Sequence, residues 1–258
     1  MYLDDIVEHH RALAGDDRRN VNTLIADARA MEAVRSFRSA IVETSRDHLA
    51  VIAEIKRRSP SKGDLNASLD PAAIATSYEA GGASCLSVLT DAKYFGGSVE
   101  DLIAARQASR LPVIRKDFTV SIADVCDTRI MGADCVLLIA AVLSPAALAE
   151  LHHVSMDVGL DVLVEVHGAE ELERAVEIGA TLIGVNQRNL ATFEVDYARA
   201  EQLSGLFPPG VVKVAESGIR NGDDAAKLRD FGYDAVLVGE SLITSSDISA
   251  SMKGLLAR

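Results

Sequence analysis

Eight short apolar segments recur along the chain, and the stretches between them have helical spacing. The segments are continuously apolar rather than alternating, which is typical of strands buried on both faces of a parallel sheet. Eight strand–helix units in succession predict an α/β fold, a (β/α)8 TIM barrel. The segments are LAVIAEI (49–55), CLSVLT (85–90), LPVIRK (111–116), DCVLLIA (134–140), LDVLVEV (160–166), TLIGVN (181–186), VVKVAES (211–217) and DAVLVGE (234–240).

A weak internal repeat supports this fold. A Gly-led turn precedes every second segment, with a period of about fifty residues, which fits a barrel assembled from pairs of units. An open doubly wound sheet is the competing fold. However, no GxGxxG motif follows the first segment, and the even alternation favours closure. The turns are GGASCLSVL (81–89), GADCVLLI (132–139), GATLIGV (179–185) and GYDAVLV (232–238).

Residues 1–47 precede the first predicted strand and contain no apolar β segment. MYLDDIVEHHRALA (1–14) and TLIADARAMEAVRSFRSAIV (23–42) have charged faces and apolar residues three and four apart, which predicts two helices. We expect an N-terminal helical extension packed on a barrel of residues 48–258. The whole chain of 258 residues then forms one domain, since such barrels commonly have about 250 residues.

Composition excludes several classes of protein. With 26 basic and 38 acidic residues the formal charge is −12, which argues against nucleic acid or anionic membranes as partners but allows a small anionic ligand. No signal peptide and no membrane-spanning segment is evident, so we expect a cytoplasmic protein. Three scattered cysteines predict ordinary packed thiols rather than disulfides or a metal knuckle.

Polar side chains interrupt the apolar segments where the active site of such a barrel lies, at the carboxyl ends of the strands. The strand period of two places Glu54 and Lys56 on one face, so both face the mouth if Ile55 packs outward. The alternative for this pair alone is a structural salt bridge. The other polar residues at strand ends are Lys116, Asp117, Glu165, His167, Asn186, Glu216, Ser217, Gly239, Glu240 and Ser241.

Two lysines and several glutamates around one mouth form a set suited to general acid–base catalysis. We expect a lysine there to have a lowered pKa, and a glutamate to be either raised in pKa or held ionised. No Ser-His-Asp arrangement and no metal-ligand spacing emerges. His167 is interpreted as a structural, hydrogen-bonded histidine, and the remaining histidines, including His10, as surface or packing residues.

A phosphate site is predicted after the seventh and eighth strands, where this fold often binds phosphate. Gly218 and Gly239 allow backbone amides to approach an anion closely, and Ser217 and Ser241 add hydroxyl donors. The alternative is an ordinary strand-to-helix turn, which also favours glycine and serine.

Seven motifs resemble, in order and spacing, those of the indole-3-glycerol-phosphate synthase family of tryptophan biosynthesis. The resemblance covers most of residues 35–258 and adds little over the first 34 residues. The motifs are VIAEIKRRSPSKGDL (51–65), VLTDAKYFGGS (88–98), PVIRKDFTV (112–120), LVEVH (163–167), GVNQRNLATF (184–193), VAESGI (214–219) and LVGESLI (237–243).

The resemblance implies an enzyme without cofactor or metal that converts 1-(2-carboxyphenylamino)-1-deoxyribulose 5-phosphate into indole-3-glycerol phosphate, carbon dioxide and water. Lys116 resembles the general acid that protonates the substrate ketone during ring closure. Lys56 would hold the anthranilate carboxylate or take part in later proton transfers. Glu165 would assist ring closure or dehydration, and Glu54 would be a base in dehydration. Asn186 and Glu216 would orient the substrate.

The resemblance also suggests residues that bind the substrate. Aromatic side chains would form walls for the anthranilate ring, and Arg188 would contact its carboxylate or hydroxyls. The serines of the loop after the first strand would donate hydrogen bonds, and Lys62 belongs to a loop that would close over the substrate. One departure is Gln187, where the family usually has Asn, and we expect it to face away from Asn186. The remaining binding residues are Ser59, Ser61, Phe95, Phe118, Ser217, Gly218, Gly239, Glu240 and Ser241.

Three other functions compete with this one. A sugar-phosphate isomerase or epimerase uses a similar barrel, but a related isomerase would have aspartates where Glu54 and Glu165 stand. A Schiff-base aldolase also needs a desolvated lysine. A non-catalytic barrel that only binds a phosphorylated ligand has no need for the converging charged set. The expected partner is a phosphorylated small molecule, and the expected state is a monomer or weak homo-oligomer.

Overall fold

The eight predicted strands form a closed parallel barrel in the computed structural model, which describes residues 2–59, 62–189, 192–245 and 247–256. Each strand pairs with the next in the chain, and the last pairs with the first. The predicted (β/α)8 fold is therefore confirmed. The strands are β1 (Ala50–Ile55), β2 (Cys85–Leu89), β3 (Val113–Lys116), β4 (Cys135–Ile139), β5 (Asp161–Val166), β6 (Leu182–Asn186), β7 (Val212–Glu216) and β8 (Ala235–Val238).

Helices alternate with these strands along the chain. Most of them begin at side-chain caps that the sequence supplies, such as Asp70 before Pro71 and the capping box of Ser121 with Asp124. The helices are α1 (Tyr2–Asp16), α2 (Val21–Ala30), α3 (Phe37–Ser45), α4 (Pro71–Ala80), α5 (Ala92–Phe95), α6 (Val99–Ala108), α7 (Ile122–Ile130), α8 (Pro145–Asp157), α9 (Ala169–Glu177), α10 (Arg199–Ser204), α11 (Gly222–Asp230), α12 (Glu240–Ile243) and α13 (Ile248–Leu256). Arg58–Ser59 and Gly63–Asp64 form a short antiparallel pair after β1.

Strand parity divides the apolar residues between two buried clusters. Alternate residues such as Val51, Ala53 and Val164 pack outward against the helices. Their neighbours Ile52 and Leu163 fill the barrel interior, as the two-residue period of a strand requires. The same parity points the next interior position of each strand at the mouth. The sequence thus determines which polar residues meet there.

The N-terminal extension has three helices, so the prediction of one helix over residues 23–42 is wrong. The chain leaves the helical conformation after Ala30 and resumes it at Phe37, with Ser36 as the new N-cap. Arg35 accounts for the break. Its backbone N–H donates to Asp134 (2.8 Å), and its guanidinium donates to the backbone carbonyls of residues 109 and 111. These bonds tie the segment to the barrel.

The extension contacts both ends of the barrel. At the amino ends of the strands, Phe37 of α3 is fully buried, and the N–H of Arg38 donates to Asp161 at the start of β5. At the carboxyl ends, the guanidinium of Arg11 in α1 donates to the backbone carbonyl of Val142, which follows β4. The helix α1 therefore forms part of the rim of the mouth.

Two further expectations bear on the fold. All three cysteines are buried and unpaired, as predicted. Across the described residues, every helix is too short or too polar to cross a membrane.

Candidate active site

One cavity of about 450 Å³ lies at the carboxyl ends of the strands and gathers the predicted site residues. Ser61 lies outside the described residues, together with its neighbour Pro60. The predicted residues that line the cavity are Glu54, Lys56, Ser59, Phe95, Lys116, Phe118, Glu165, Asn186, Arg188, Glu216, Ser217, Gly218, Gly239, Glu240 and Ser241.

Four ionisable side chains from alternate strands form the base of this cavity. Glu54, Lys116, Glu165 and Glu216 come from β1, β3, β5 and β7, and each stands two residues beyond an apolar interior residue of its strand. Alternate strands supply the side chains of one interior layer in such barrels. The uppermost layer is thus charged where the layers below are apolar.

Lys116 is held between two carboxylates. Its Nζ lies 3.1 Å from Glu165 Oε2 and 3.6 Å from Glu216 Oε2. Burial alone lowers the pKa of Lys116, but the surrounding carboxylates, Glu165 foremost, outweigh burial and raise it above its ordinary value. The expectation of a lowered lysine pKa is therefore wrong for Lys116, because its neighbours are anions rather than cations.

The two glutamates beside Lys116 are pushed to opposite protonation states. Burial raises the pKa of Glu165, but the charges of Lys116 and His167 outweigh it and lower that pKa to about 2. Burial and then the nearby charge of Glu165 raise the pKa of Glu216 to about 8. The site therefore combines an ionised carboxylate with a neutral carboxyl group at neutral pH, which is the pairing that acid–base chemistry requires.

A second acid and base stand beside this group. Lys56 Nζ donates to Glu54 Oε1, so these two residues at the carboxyl end of β1 face the same way, as predicted. Glu54 is 4% exposed, and its backbone carbonyl accepts a hydrogen bond from the buried Tyr78 hydroxyl. Strand parity thus brings both lysines and three glutamates to one cavity.

His167 has the structural contacts that were predicted for it. Its Nδ1 lies 3.2 Å from Glu171 of α9, and its Nε2 lies 3.5 Å from Glu165 Oε1. The imidazole therefore lies between the two glutamates and is hydrogen-bonded to Glu171. Gln187 does not line the cavity, and its side-chain amide donates to the backbone carbonyl of Ser217 (2.8 Å).

Two aromatic rings line one side of the cavity. The ring centroids of Phe95 and Phe118 are 6.4 Å apart, and Phe118 is almost completely buried. Across the cavity, Ser217 and Gly218 have left-handed backbones, with φ of +66° and +79°. A residue other than glycine rarely adopts that conformation, and such strain clusters at functional sites. The cavity therefore has an aromatic end and a turn-rich end.

The loops at the turn-rich end differ in detail from the prediction. The Ser241 hydroxyl donates to the backbone carbonyl of Ile219 (3.0 Å), so it connects the two loops. Glu240 attracts two cations, since its carboxylate lies 3.7 Å from Lys62 Nζ and 3.9 Å from Arg188 Nη2. Lys62 also lines the cavity.

His10, predicted to be a surface or packing residue, packs against the aromatic side of the cavity, a position that the sequence did not indicate. Its Nε2 lies 2.9 Å from Asp91 Oδ2 and 3.7 Å from Asp117 Oδ1, and its ring stacks on Phe118 with centroids 5.4 Å apart. No sequence signal was available, because His10 and Asp91 are 81 residues apart.

His10, Asp91 and Asp117 offer ligand atoms within 4.8 Å of one another, a spacing that would suit a metal ion. The carboxylates are already engaged, however. Asp117 accepts hydrogen bonds from Arg115 and the Phe118 N–H, and Asp91 accepts from backbone N–H groups at the start of α5. We therefore interpret the cluster as an imidazole held between two carboxylates.

The family model described as indole-3-glycerol phosphate synthase matches residues 3–255. The chain belongs to this family. The match reaches almost to the N-terminus, so it also covers the segment in which the motifs gave little information. The family and the enzyme class implied by the motifs are confirmed.

Curated relatives agree with this assignment over more than nine-tenths of their length. The chain is 45% identical to an indole-3-glycerol phosphate synthase of Bordetella pertussis, an alignment that covers 93% of this chain and 92% of the relative. It is also 45% identical to indole-3-glycerol phosphate synthase 1 of Streptomyces coelicolor, over 99% of this chain and 94% of the relative.

Solved structures with low identity share the fold alone. A thiamine phosphate pyrophosphorylase from Pyrococcus furiosus superposes with a TM-score of 0.60 at 16% identity, over 82% of this chain and 95% of that one. An N-acetylmannosamine-6-phosphate 2-epimerase from Clostridium perfringens gives a TM-score of 0.59 at 15% identity, over 74% and 86% of the two chains.

Proposed function

We propose that the chain catalyses the reaction of its family, the conversion of 1-(2-carboxyphenylamino)-1-deoxyribulose 5-phosphate into indole-3-glycerol phosphate, carbon dioxide and water. The observation that carries the proposal is the Lys116 ammonium, held 3.1 Å from Glu165 at the base of the cavity. Ring closure develops negative charge on a ketone oxygen, and a fixed ammonium stabilises and protonates such an oxygen.

The raised pKa of Lys116 affects how it acts as an acid. The lysine stays protonated in the free enzyme, and it transfers a proton only to a strongly basic atom. The alkoxide that develops as the aromatic carbon attacks is such an atom. Glu165, ionised beside it, stabilises the ammonium before transfer and assists ring closure or dehydration. Loss of carbon dioxide from the ring-closed intermediate is driven by rearomatisation, since the electron pair of the broken C–C bond returns to the ring.

The remaining polar residues receive supporting roles in this proposal. Lys56 holds the anthranilate carboxylate or moves protons after ring closure, and Glu54, paired with it, is the base in dehydration. Asn186 and the neutral Glu216 orient the nitrogen and hydroxyls of the substrate by hydrogen bonds. Arg188 contacts the carboxylate or hydroxyls.

The two ends of the cavity fit the two ends of this substrate. The anthranilate ring would lie against Phe95 and Phe118, where an apolar wall favours an aromatic ring. The phosphate would lie at the loops after β7 and β8, the usual phosphate position in this fold. We assign its binding to the hydroxyl groups of Ser59, Ser61 and Ser217 and to the backbone N–H groups of Ser217, Gly218, Gly239, Glu240 and Ser241.

The test is product formation by purified protein treated with a chelator and given the carboxyphenylamino substrate alone. We expect indole fluorescence to rise without added metal, cofactor or second protein. No product under these conditions would contradict the proposal. Borohydride added during turnover separates the aldolase alternative, since a stable adduct on Lys56 or Lys116 would favour a Schiff base.

We also propose a cellular location, a class of partner and an oligomeric state for this enzyme. Its net negative charge argues against nucleic acid or anionic membrane surfaces as partners and still allows a small anionic substrate in a local basic pocket, in keeping with a biosynthetic enzyme of the cytoplasm. We propose a monomer or weak homo-oligomer, which sedimentation at several protein concentrations would check.

A further inference from the structure

A glycine in β6 lies against one of the proposed catalytic carboxyls. Gly184 faces the barrel interior, two residues before Asn186, in register with Glu165 on one side and Val214 on the other. A Cβ built on Gly184 would overlap Glu216 Oε1 and lie 3.2 Å from its Cδ. The Glu216 carboxyl therefore occupies the place that any other residue at 184 would fill.

The Glu216 carboxyl is unusual in its own right. It is 1% exposed, and its Oε1 has no hydrogen-bond partner among the described residues, although its Oε2 faces Lys116. Leaving a buried polar atom unpaired is costly, and such atoms persist where function requires them. The position of Oε1 is thus set by the surrounding side chains and backbone, and not by a hydrogen bond of its own.

We propose that Gly184 is a positioning residue for the reaction: its missing side chain holds open the space in which the Glu216 carboxyl sits beside Lys116 and Glu165. A larger residue at 184 would displace the carboxyl by roughly 1 Å, the difference between overlap and ordinary contact. The inference rests on the proposed function for its kinetic readout alone.

A second glycine shows the same relation on the other side of the mouth. A Cβ built on Gly239 would lie 2.5 Å from Glu54 Oε1 and 3.1 Å from Glu54 Cβ. Gly184 stands on the strand next to that of Glu216, and Gly239 directly follows β8, the strand next to that of Glu54. Gly239 also belongs to the proposed phosphate site, which would confuse a test there. Gly184 has no other proposed role, so it gives the cleaner experiment.

The substitution Gly184→Ala separates position from folding. The backbone at 184 is an ordinary β-strand, which alanine adopts without strain, and the clash falls on the end of a flexible side chain. We expect a folded protein whose kcat is lower by roughly 10²-fold, the cost typical of a 1 Å misplacement in an active site. The matched control is Gly168→Ala, at an extended glycine with open space after β5, and its kcat should stay within about twofold.

Two further measurements identify Glu216 as the group that moves. In a Glu216→Ala background, adding Gly184→Ala should cost nothing more, because the clash is gone. Without substrate, ¹³C NMR of labelled glutamate, assigned with Glu216→Gln, should show the raised pKa of Glu216 falling toward its ordinary range in Gly184→Ala. That titration tests the inference even if the parent protein proves inactive on the proposed substrate.

The outcomes decide the question as follows. A kcat within about threefold of the parent, an unchanged Glu216 titration, or penalties that multiply with Glu216→Ala would each overturn the inference. If Gly184→Ala fails to fold, recovery of folding in the double variant Gly184→Ala/Glu216→Ala supports it. Failure of that double variant to fold overturns it.

Discussion

At the scale of single residues, the main feature of the site is Lys116, whose neighbours oppose the release of its proton. A lysine that acts as an acid is usually expected beside other cations, which lower its pKa. Lys116 instead faces Glu165 and Glu216, so its proton is held until charge develops on the substrate. The two acidic side chains keep Lys116 protonated. The negative charge that develops on the substrate then supplies the driving force for proton transfer.

Two substitutions of Lys116 test whether turnover depends on proton transfer from this residue or only on its positive charge. We expect Lys116→Ala to lose at least about 10²-fold in kcat with a modest change in KM, since general acid catalysis contributes about 10²–10⁴-fold. Lys116→Arg keeps the charge but does not release a proton readily, so it should be nearly as slow. The measurement is steady-state indole fluorescence, with circular dichroism to confirm folding.

The exposed Lys253 of α13 provides the control, and Lys253→Ala should leave kcat unchanged. Retention of turnover within about tenfold in Lys116→Ala would remove the residue from the role of acid. Retention in Lys116→Arg alone would show that the charge stabilises the oxyanion without giving up a proton.

At the scale of elements, α1 is the part of the extension that reaches the site. His10 connects it to Asp91 after β2 and Asp117 after β3, and covers the ring of Phe118. Hydrogen bonds to charged groups contribute about 1.5–3 kcal/mol, and stacked rings about 0.5–1.5 kcal/mol. The helix therefore supports the aromatic wall from outside.

We expect His10→Ala to raise KM by about tenfold while kcat falls less, because the wall that would hold the anthranilate ring loses its backing. His10→Gln should recover part of the loss, since its amide N–H can still donate to Asp91. His153, exposed on α8, supplies the control His153→Ala, whose KM should equal that of the parent. Equal KM values for His10→Ala and the parent would show that α1 is only structural.

The elements also show what sequence patterns reveal and what they miss. The eight strands were predictable because a strand buried on both faces must be apolar throughout. The break between α2 and α3 was not, since Arg35 and Ser36 fit a helical pattern. The break depends on hydrogen bonds from Arg35 to residues 74 to 99 positions away. Tertiary contacts of this kind leave no local signal.

The candidate site also has features that the sequence predicts and features that it does not. Strand parity predicted from the sequence alone that Glu54, Lys56 and Lys116 face one cavity, as they do. The family motifs supplied the roles proposed for them. The partners of His10 and the space at Gly184 depend on how distant strands and helices approach each other. The sign of the Lys116 pKa shift also depends on that approach, because carboxylates from β5 and β7 outnumber the cations near it.

At the scale of the whole molecule, we propose that the extension and the barrel are one domain and unfold together. Phe37 of α3 is fully buried at the amino ends of the strands, and α1 reaches the opposite rim. Removing a buried phenylalanine side chain costs about 3–5 kcal/mol. If the two parts share one core, Phe37→Ala lowers the stability of the barrel by that amount, although residue 37 precedes every strand.

Urea unfolding followed by two probes tests this prediction. Far-ultraviolet circular dichroism reports all helices, and tyrosine absorbance weights the barrel through the buried Tyr78 and Tyr233, in a chain without tryptophan. We expect coincident midpoints for the two probes in the parent and equal shifts in Phe37→Ala. Leu13→Ala, at a side chain that is 56% exposed on α1, should change the free energy of unfolding by less than about 0.5 kcal/mol. An early transition seen by circular dichroism alone would instead make the extension a separate unit, since its helices would then melt from a barrel that stays folded.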